Sequence, residues 1–185
     1  LLSRAINSDL VKARKILESA SAAIAKSLSE KNIQKIKHLA QKIKNTQHLF
    51  AIGRGLNFPT ALEAALKIKE VSYIHAEGFA GGELKHGTIA LIEEGVPCLV
   101  FVGNDQEKDE ILSNAEEIKA RGGYIIGIAP ENHQIFDEYL PVEDLPAVSP
   151  ILNIIPMQVL AYFLALEKGL DPDKPRNLAK SVTVK

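Results

Sequence analysis

Apolar residues recur at three- and four-residue spacing through two N-terminal stretches, then gather into short runs further along. The first stretch, with Ser8-Asp9 as a helix start, carries Leu10, Val11, Ala13, Ile16 and Leu17. The second carries Ile36, Leu39, Ala40 and Ile43, so two amphipathic helices are expected within residues 1–46. The apolar runs His48 to Ile52, Pro97 to Val102, Tyr124 to Ala129 and Glu138 to Val142 read as strands. A helix around Ala61 to Val71 follows the first run, and another from about Gln106 to Arg121 is stopped by Gly122-Gly123. Pro150 opens a strongly apolar helix through Leu166, ended by Gly169. Buried strands alternating with helices predict an α/β fold: a three-layer αβα sandwich on a mainly parallel, flavodoxin-like doubly wound sheet. Ligands of such sheets sit beyond the carboxyl ends of the strands.

Composition narrows the class. At 185 residues and 46% hydrophobic content the chain suits one domain with a sizeable core. A net charge of −1 gives no electrostatic reason to expect nucleic acid or an acidic membrane as partner. No apolar run approaches the roughly 20 residues that span a bilayer, and Leu1 to Leu10 lacks a signal-peptide core. The single cysteine, Cys98, lies in the apolar run PCLVFV, which points to a buried, unreactive thiol and a cytoplasmic location. The lysines at 26, 31, 35, 37, 42 and 44, with His38 and His48, read as a solvated face.

Candidate chemistry concentrates in ALEAALKIKEVSYIHAEGFAGGELKHG, Ala61 to Gly87. At about 100° per residue, Glu63, Lys67 and Glu70 fall on one stripe of the helix, two carboxylates flanking an ammonium. Such a stripe is either a solvated row of ion pairs or, because Leu62, Ala65, Leu66, Ile68 and Val71 leave little of the circumference polar, a half-buried row in a cleft. A poised carboxylate there can move a proton between neighbouring carbons. After Tyr73, the glycines at 78, 81, 82 and 87 imply a tight loop carrying His75, Glu77, Glu83, Lys85 and His86. No HExxH or His-x-x-His spacing exists, so no metal and no cofactor are expected. The turn GRGLNFPT, Gly53 to Thr60, could hold an anion at a helix N-terminus but lacks a cluster of hydroxyls; its plainer reading is a strand-to-helix turn with Asn57 as N-cap and Pro59 in the first turn.

That string, together with RNLAKSVTV near the C-terminus, resembles the isomerase part of the glucosamine-6-phosphate synthases, the glutamine:fructose-6-phosphate amidotransferases, and more narrowly the second of their two sugar isomerase (SIS) domains. The likeness runs over essentially the whole chain. It implies one SIS domain over residues 1–185, with N-terminal helices in 1–46 and a catalytic tail in 170–185. It implies catalysis by Glu70, which would shuttle a proton between C2 and C1 of the open-chain sugar. His86 would help to open the ring and reach into the neighbouring subunit of a dimer. Lys180 would form a Schiff base with the open-chain ketose, and Lys67 would contact sugar hydroxyls. Glu63 and Arg176 match substrate-site positions, Arg176 as a tail anchor. The implied partners are fructose 6-phosphate and glucosamine 6-phosphate, the first SIS domain and the glutaminase domain of the longer enzyme, and a second copy of the chain.

The chain departs from the family at Thr88, where proline is common, and at Lys185, where glutamate is common. The family's Ser/Thr-rich phosphate loop, which belongs to its first SIS domain, and its N-terminal cysteine nucleophile are missing, so the sugar phosphate would be held elsewhere and ammonia would come from another domain, another chain or solution. The lack of an initiator methionine points to a piece of a longer chain. Two alternatives stay open: a non-catalytic SIS domain for phosphosugar binding or dimerisation, and a stand-alone phosphosugar isomerase.

Overall fold

A computed structural model describes residues 10–178; the helix start at Ser8-Asp9, the proposed Schiff-base residue Lys180 and the tail valines Val182 and Val184 lie outside the described residues. Two helices open the described residues, α1 (Leu10–Ser27) and α2 (Glu30–Ile43). Strand β1 (His48–Gly53), helix α3 (Asn57–Ser72) and strand β2 (His75–Ala80) form the first crossover. Short 3₁₀ turns at Gly81–His86 and Thr88–Leu91 lead to β3 (Pro97–Phe101), α4 (Lys108–Lys119), β4 (Tyr124–Ala129) and β5 (Glu138–Pro141), and α5 (Ser149–Glu167) ends the fold.

All pairings are parallel, in the order β2-β1-β3-β4-β5. Side-chain alternation along the strands separates two cores. Leu49, Ala51, Leu99, Phe101, Ile126 and Ile128 pack beneath α2, α3 and α5. Phe50, Ile52, Cys98, Val100 and Ile125 pack on the other face against Ile111, Ala115 and Ile118 of α4. The strands therefore read as continuous apolar runs, because both faces are covered. With α3 on one face and α4 on the other, the chain winds in opposite directions from β1 and β3, and their carboxyl ends flank the switch point.

The sheet has one strand more than the apolar runs indicate. His75–Ala80 is an edge strand with alternating burial rather than the start of a glycine loop. Glycine is there for closeness, not for a turn: a Cβ on Gly78 would sit 2.6 Å from the backbone oxygen of Ala61, where α3 lies on β2. Gly53 does the same on β1, 2.2 Å from the Asn57 oxygen.

Three other expectations are corrected. In α1 the apolar residues Leu10, Val11 and Leu17 are exposed, and the helix packs through Ala20 and Ala23 against Val148 and Leu152. Small side chains bring it close to α5, which turns the larger ones outward. Asn57 is not an N-cap; it is the buried first residue of α3, and its Oδ1 accepts a hydrogen bond from Asn153 Nδ2 at 2.7 Å. Finally, residues Pro146–Glu167 are long and apolar enough to cross a membrane by length and composition, although no single run of the sequence suggests it. Their packing explains the apolarity, because Leu152, Met157, Leu160 and Leu164 are wholly buried between the sheet and the flanking helices.

Candidate active site

Helix α3 presents two contrasting sides. Ala61, Ala64, Ala65 and Ile68 are buried against the sheet and α5. The opposite side carries Glu63, Lys67 and Glu70 between the exposed Leu62 and Leu66. Lys67 Nζ lies 2.8 Å from Glu70 Oε2 and 3.6 Å from Glu63 Oε1, so the ammonium bridges both carboxylates. Glu70 and Lys67 are about two-thirds covered, with side-chain exposures of 29% and 33%, whereas Glu63 is at 47%. The stripe is thus half buried at its Glu70 end. The Glu70 carboxylate, with a smaller contribution from Glu63, holds the Lys67 amine above its ordinary pKa. Lys67 is therefore charged at neutral pH.

His86 stands elsewhere. It ends the first 3₁₀ turn after β2, and its Nδ1 lies 3.0 Å from Glu83 Oε2, both side chains well exposed. Among the described residues no hydrogen bond or ion pair joins it to the α3 stripe. Its neighbour Lys85 reaches across to Glu117 of α4 at 2.9 Å, which pins the turn to the opposite face of the sheet. Of the remaining ionisable residues expected in a loop here, His75 and Glu77 belong to β2.

The described end of the tail is tied to α3. Tyr73, the left-handed residue that closes the helix at φ 58°, accepts a hydrogen bond at its Oη from the Arg176 backbone N–H at 2.6 Å. The Arg176 guanidinium sits 4.1 Å from the centre of the same ring, a cation–π contact. The sequence pointed to Arg176 as an anchor and missed Tyr73. The signal that could have found it is its place: a bulky residue at the end of a helix, where glycine is usual.

The crevice at the switch point is unlike a phosphate cradle. A cavity of about 70 Å³ there is lined by Leu56, Gly103, Asp105, Glu143, Asp144 and Asn153, so three carboxylates face it. Arg54, the nearby cation of the first turn, is held by Glu107 at 2.9 Å. A wider depression of about 680 Å³, lined by Lys26, Lys31, Lys35, Glu131, Glu143 and Asp144, is also of mixed charge. Glu63, Lys67, Glu70 and His86 line neither cavity. The stripe is an open wall.

The family model of the SIS domain matches residues 42–165. The chain is 51% identical over 153 residues to a glutamine–fructose-6-phosphate aminotransferase (isomerizing) of Pyrococcus horikoshii, covering 81% of this chain and 26% of that protein. The protein of the same name from Caldanaerobacter subterraneus subsp. tengcongensis is 46% identical, with 83% and 26% covered. The chain thus spans about a quarter of the length of these curated relatives. Among solved structures, the C-terminal domain of a glucosamine-fructose-6-phosphate aminotransferase from Francisella tularensis superposes with a TM-score of 0.81 at 34% identity, covering 89% of this chain and 48% of that one.

Proposed function

The chain belongs to the SIS domain family, and from that premise we propose that it supplies one catalytic wall of an isomerising aminotransferase acting on fructose 6-phosphate. The single observation that carries the proposal is the Glu63–Lys67–Glu70 stripe, a half-buried carboxylate bound to a charged lysine on an otherwise apolar helix. The relatives' name, glutamine–fructose-6-phosphate aminotransferase (isomerizing), agrees with that chemistry.

The steps follow from charge and position. Lys180 is proposed to condense with the C2 carbonyl of the open-chain ketose, releasing water, and ammonia then displaces the lysine amine to leave the C2 imine. Glu70 removes a proton from C1, giving an enamine, and returns it to C2, leaving an aldose with an amino group on C2. One carboxylate can serve both transfers because the two carbons are adjacent on one face. Lys67 is proposed to contact the sugar hydroxyls, a role its charge beside Glu70 supports. His86 is proposed to open the sugar ring, in the site of a neighbouring subunit of a dimer. Its exposure and its separation from the stripe support that reading. Lys180 is proposed as the Schiff-base lysine, and the Tyr73–Arg176 contact, which ties the described end of the tail to α3, is compatible with that role. A first SIS domain would provide the phosphate site, a glutaminase domain the ammonia, and the cytoplasm the setting.

Joining this chain to the N-terminal remainder of one of these relatives tests the reading. Amino-sugar formation from fructose 6-phosphate and ammonium is expected to fall at least a hundredfold in Glu70→Gln. Unchanged turnover in that variant would remove Glu70 from the reaction.

A further inference from the structure

The strand register joins two histidines that are 27 residues apart in sequence. His48 opens β1, His75 opens β2, and the two are direct partners in the parallel ladder. Their Nδ1 atoms are 3.1 Å apart, the rings edge to face with centroids separated by 5.3 Å. Both residues are exposed. A hydrogen bond at this spacing requires that one ring carry its proton on Nδ1 and donate it to the bare Nδ1 of the other. The same separation suits two adjacent ligands of one ion. With metal–nitrogen bonds of about 2.0–2.1 Å, nitrogens at this spacing subtend about 100° at the metal, between the square-planar and tetrahedral angles.

We propose that His48 and His75 form a two-imidazole clamp for a divalent late transition-metal ion, of the class of Cu²⁺, Ni²⁺ and Zn²⁺, at the amino edge of the sheet. Neutral imidazole is a preferred ligand of these ions. Coordination requires each ring to turn about χ2 so that the two lone pairs meet at a common point. The proton on the donating Nδ1 moves through water to Nε2 of its own ring, so a neutral pair releases no net proton on binding. Among the described residues no group of three metal-binding side chains forms, so water completes the coordination. His75 shares a shallow depression with Lys44, Tyr73, Glu167 and Lys168, and Glu167 meets Lys44 at 3.1 Å, offsetting part of the positive charge that would oppose a metal. The clamp stands at the opposite end of the strands from the His86 turn and uses none of the residues proposed to handle sugar. A bound ion would tie the starts of β1 and β2 together and stabilise the fold by linkage.

The test is a titration of the 185-residue chain, free of any affinity tag, with NiCl₂ and with CuCl₂ at pH 7.5. One saturable ion per chain is expected, Cu²⁺ tighter than Ni²⁺, with a rise in Tm on saturation. Affinity should drop at least tenfold in His48→Ala and in His75→Gln, both folded by circular dichroism, and stay unchanged in His38→Ala and His133→Ala. Electron paramagnetic resonance of the Cu²⁺ form should show two nitrogen ligands, reduced to one in either variant. Equal affinity in His75→Gln, or no saturable Ni²⁺ or Cu²⁺ binding up to millimolar concentration, would overturn the proposal.

Discussion

The switch-point crevice and the outer face of α3 belong to the same crossover and divide two tasks between them. The crevice is where ligands of doubly wound sheets usually bind, yet in this chain it is small, ringed by Asp105, Glu143 and Asp144, and floored by the buried Asn57–Asn153 pair. The α3 face lies outside that crevice and holds the ion-paired stripe of Glu63, Lys67 and Glu70. Helices that return a chain across a parallel sheet run antiparallel to its strands, so Glu63 lies towards the carboxyl edge and Glu70 towards the amino edge. The stripe therefore lies on the side of α3 opposite the residues buried against the sheet and α5. A wall of this kind needs a facing surface to become a pocket.

Four substitutions separate the two regions. The largest effect is expected from Glu70→Gln in the joined enzyme, where C1 proton exchange on fructose 6-phosphate should fall by about 10²–10⁴ with little change in stability. An equal loss on changing a crevice residue would break the division. Asn153→Leu, in the crevice, should do the opposite. It leaves the buried Asn57 Oδ1 without its donor and should lower unfolding stability by about 1–3 kcal/mol in a urea titration, with proton exchange retained per folded molecule.

Tyr73→Phe removes only the hydroxyl that accepts the Arg176 N–H. It should cost about 1 kcal/mol or less and speed limited proteolysis after Arg176, because the ring contact with the guanidinium remains. Proteolysis at the unaltered rate would show the tail to be held by other contacts. The smallest effect belongs to Lys67→Met, where loss of the ion pairs should change stability by under about 1 kcal/mol. Because Glu70 raises the Lys67 pKa, the contribution of that charge is fully present below the unfolded value near 10.5 and lost as pH rises through the higher folded value. The difference between wild type and variant should accordingly close in alkali; a gap that widens there would contradict the pairing.

Elements whose sides are simple were readable in the sequence. Ile36, Leu39, Ala40 and Ile43 are the buried side of α2, and the runs PCLVF and YIIGIA are the two strands enclosed on both faces. Cys98 is buried as expected, and that burial pushes its thiol up to about 12. What stayed hidden depends on neighbours far along the chain. HAEGFA alternates weakly because β2 is an edge strand, and its glycine answers to the approach of α3 rather than to a turn. The apolar spacing of α1 was legible only in part, because Ala20 and Ala23 with Ile16 and Ile24 make its packing while Leu10, Val11 and Leu17 stay exposed. At the site, the i, i+4 and i+7 spacing was enough to unite Glu63, Lys67 and Glu70, since helix geometry is local. The partnerships of Tyr73 with Arg176 and of His48 with His75 arise only from the register and path of the folded chain.

Deuterium incorporation into fructose 6-phosphate in heavy water, with ammonium present, tests most directly whether this chain is one wall of a divided site. The chain alone should give no incorporation at C1 or C2, and joining the N-terminal remainder of a relative should produce incorporation that Glu70→Gln abolishes. Incorporation by the folded chain alone, or its persistence in the joined Glu70→Gln enzyme, would contradict that assignment.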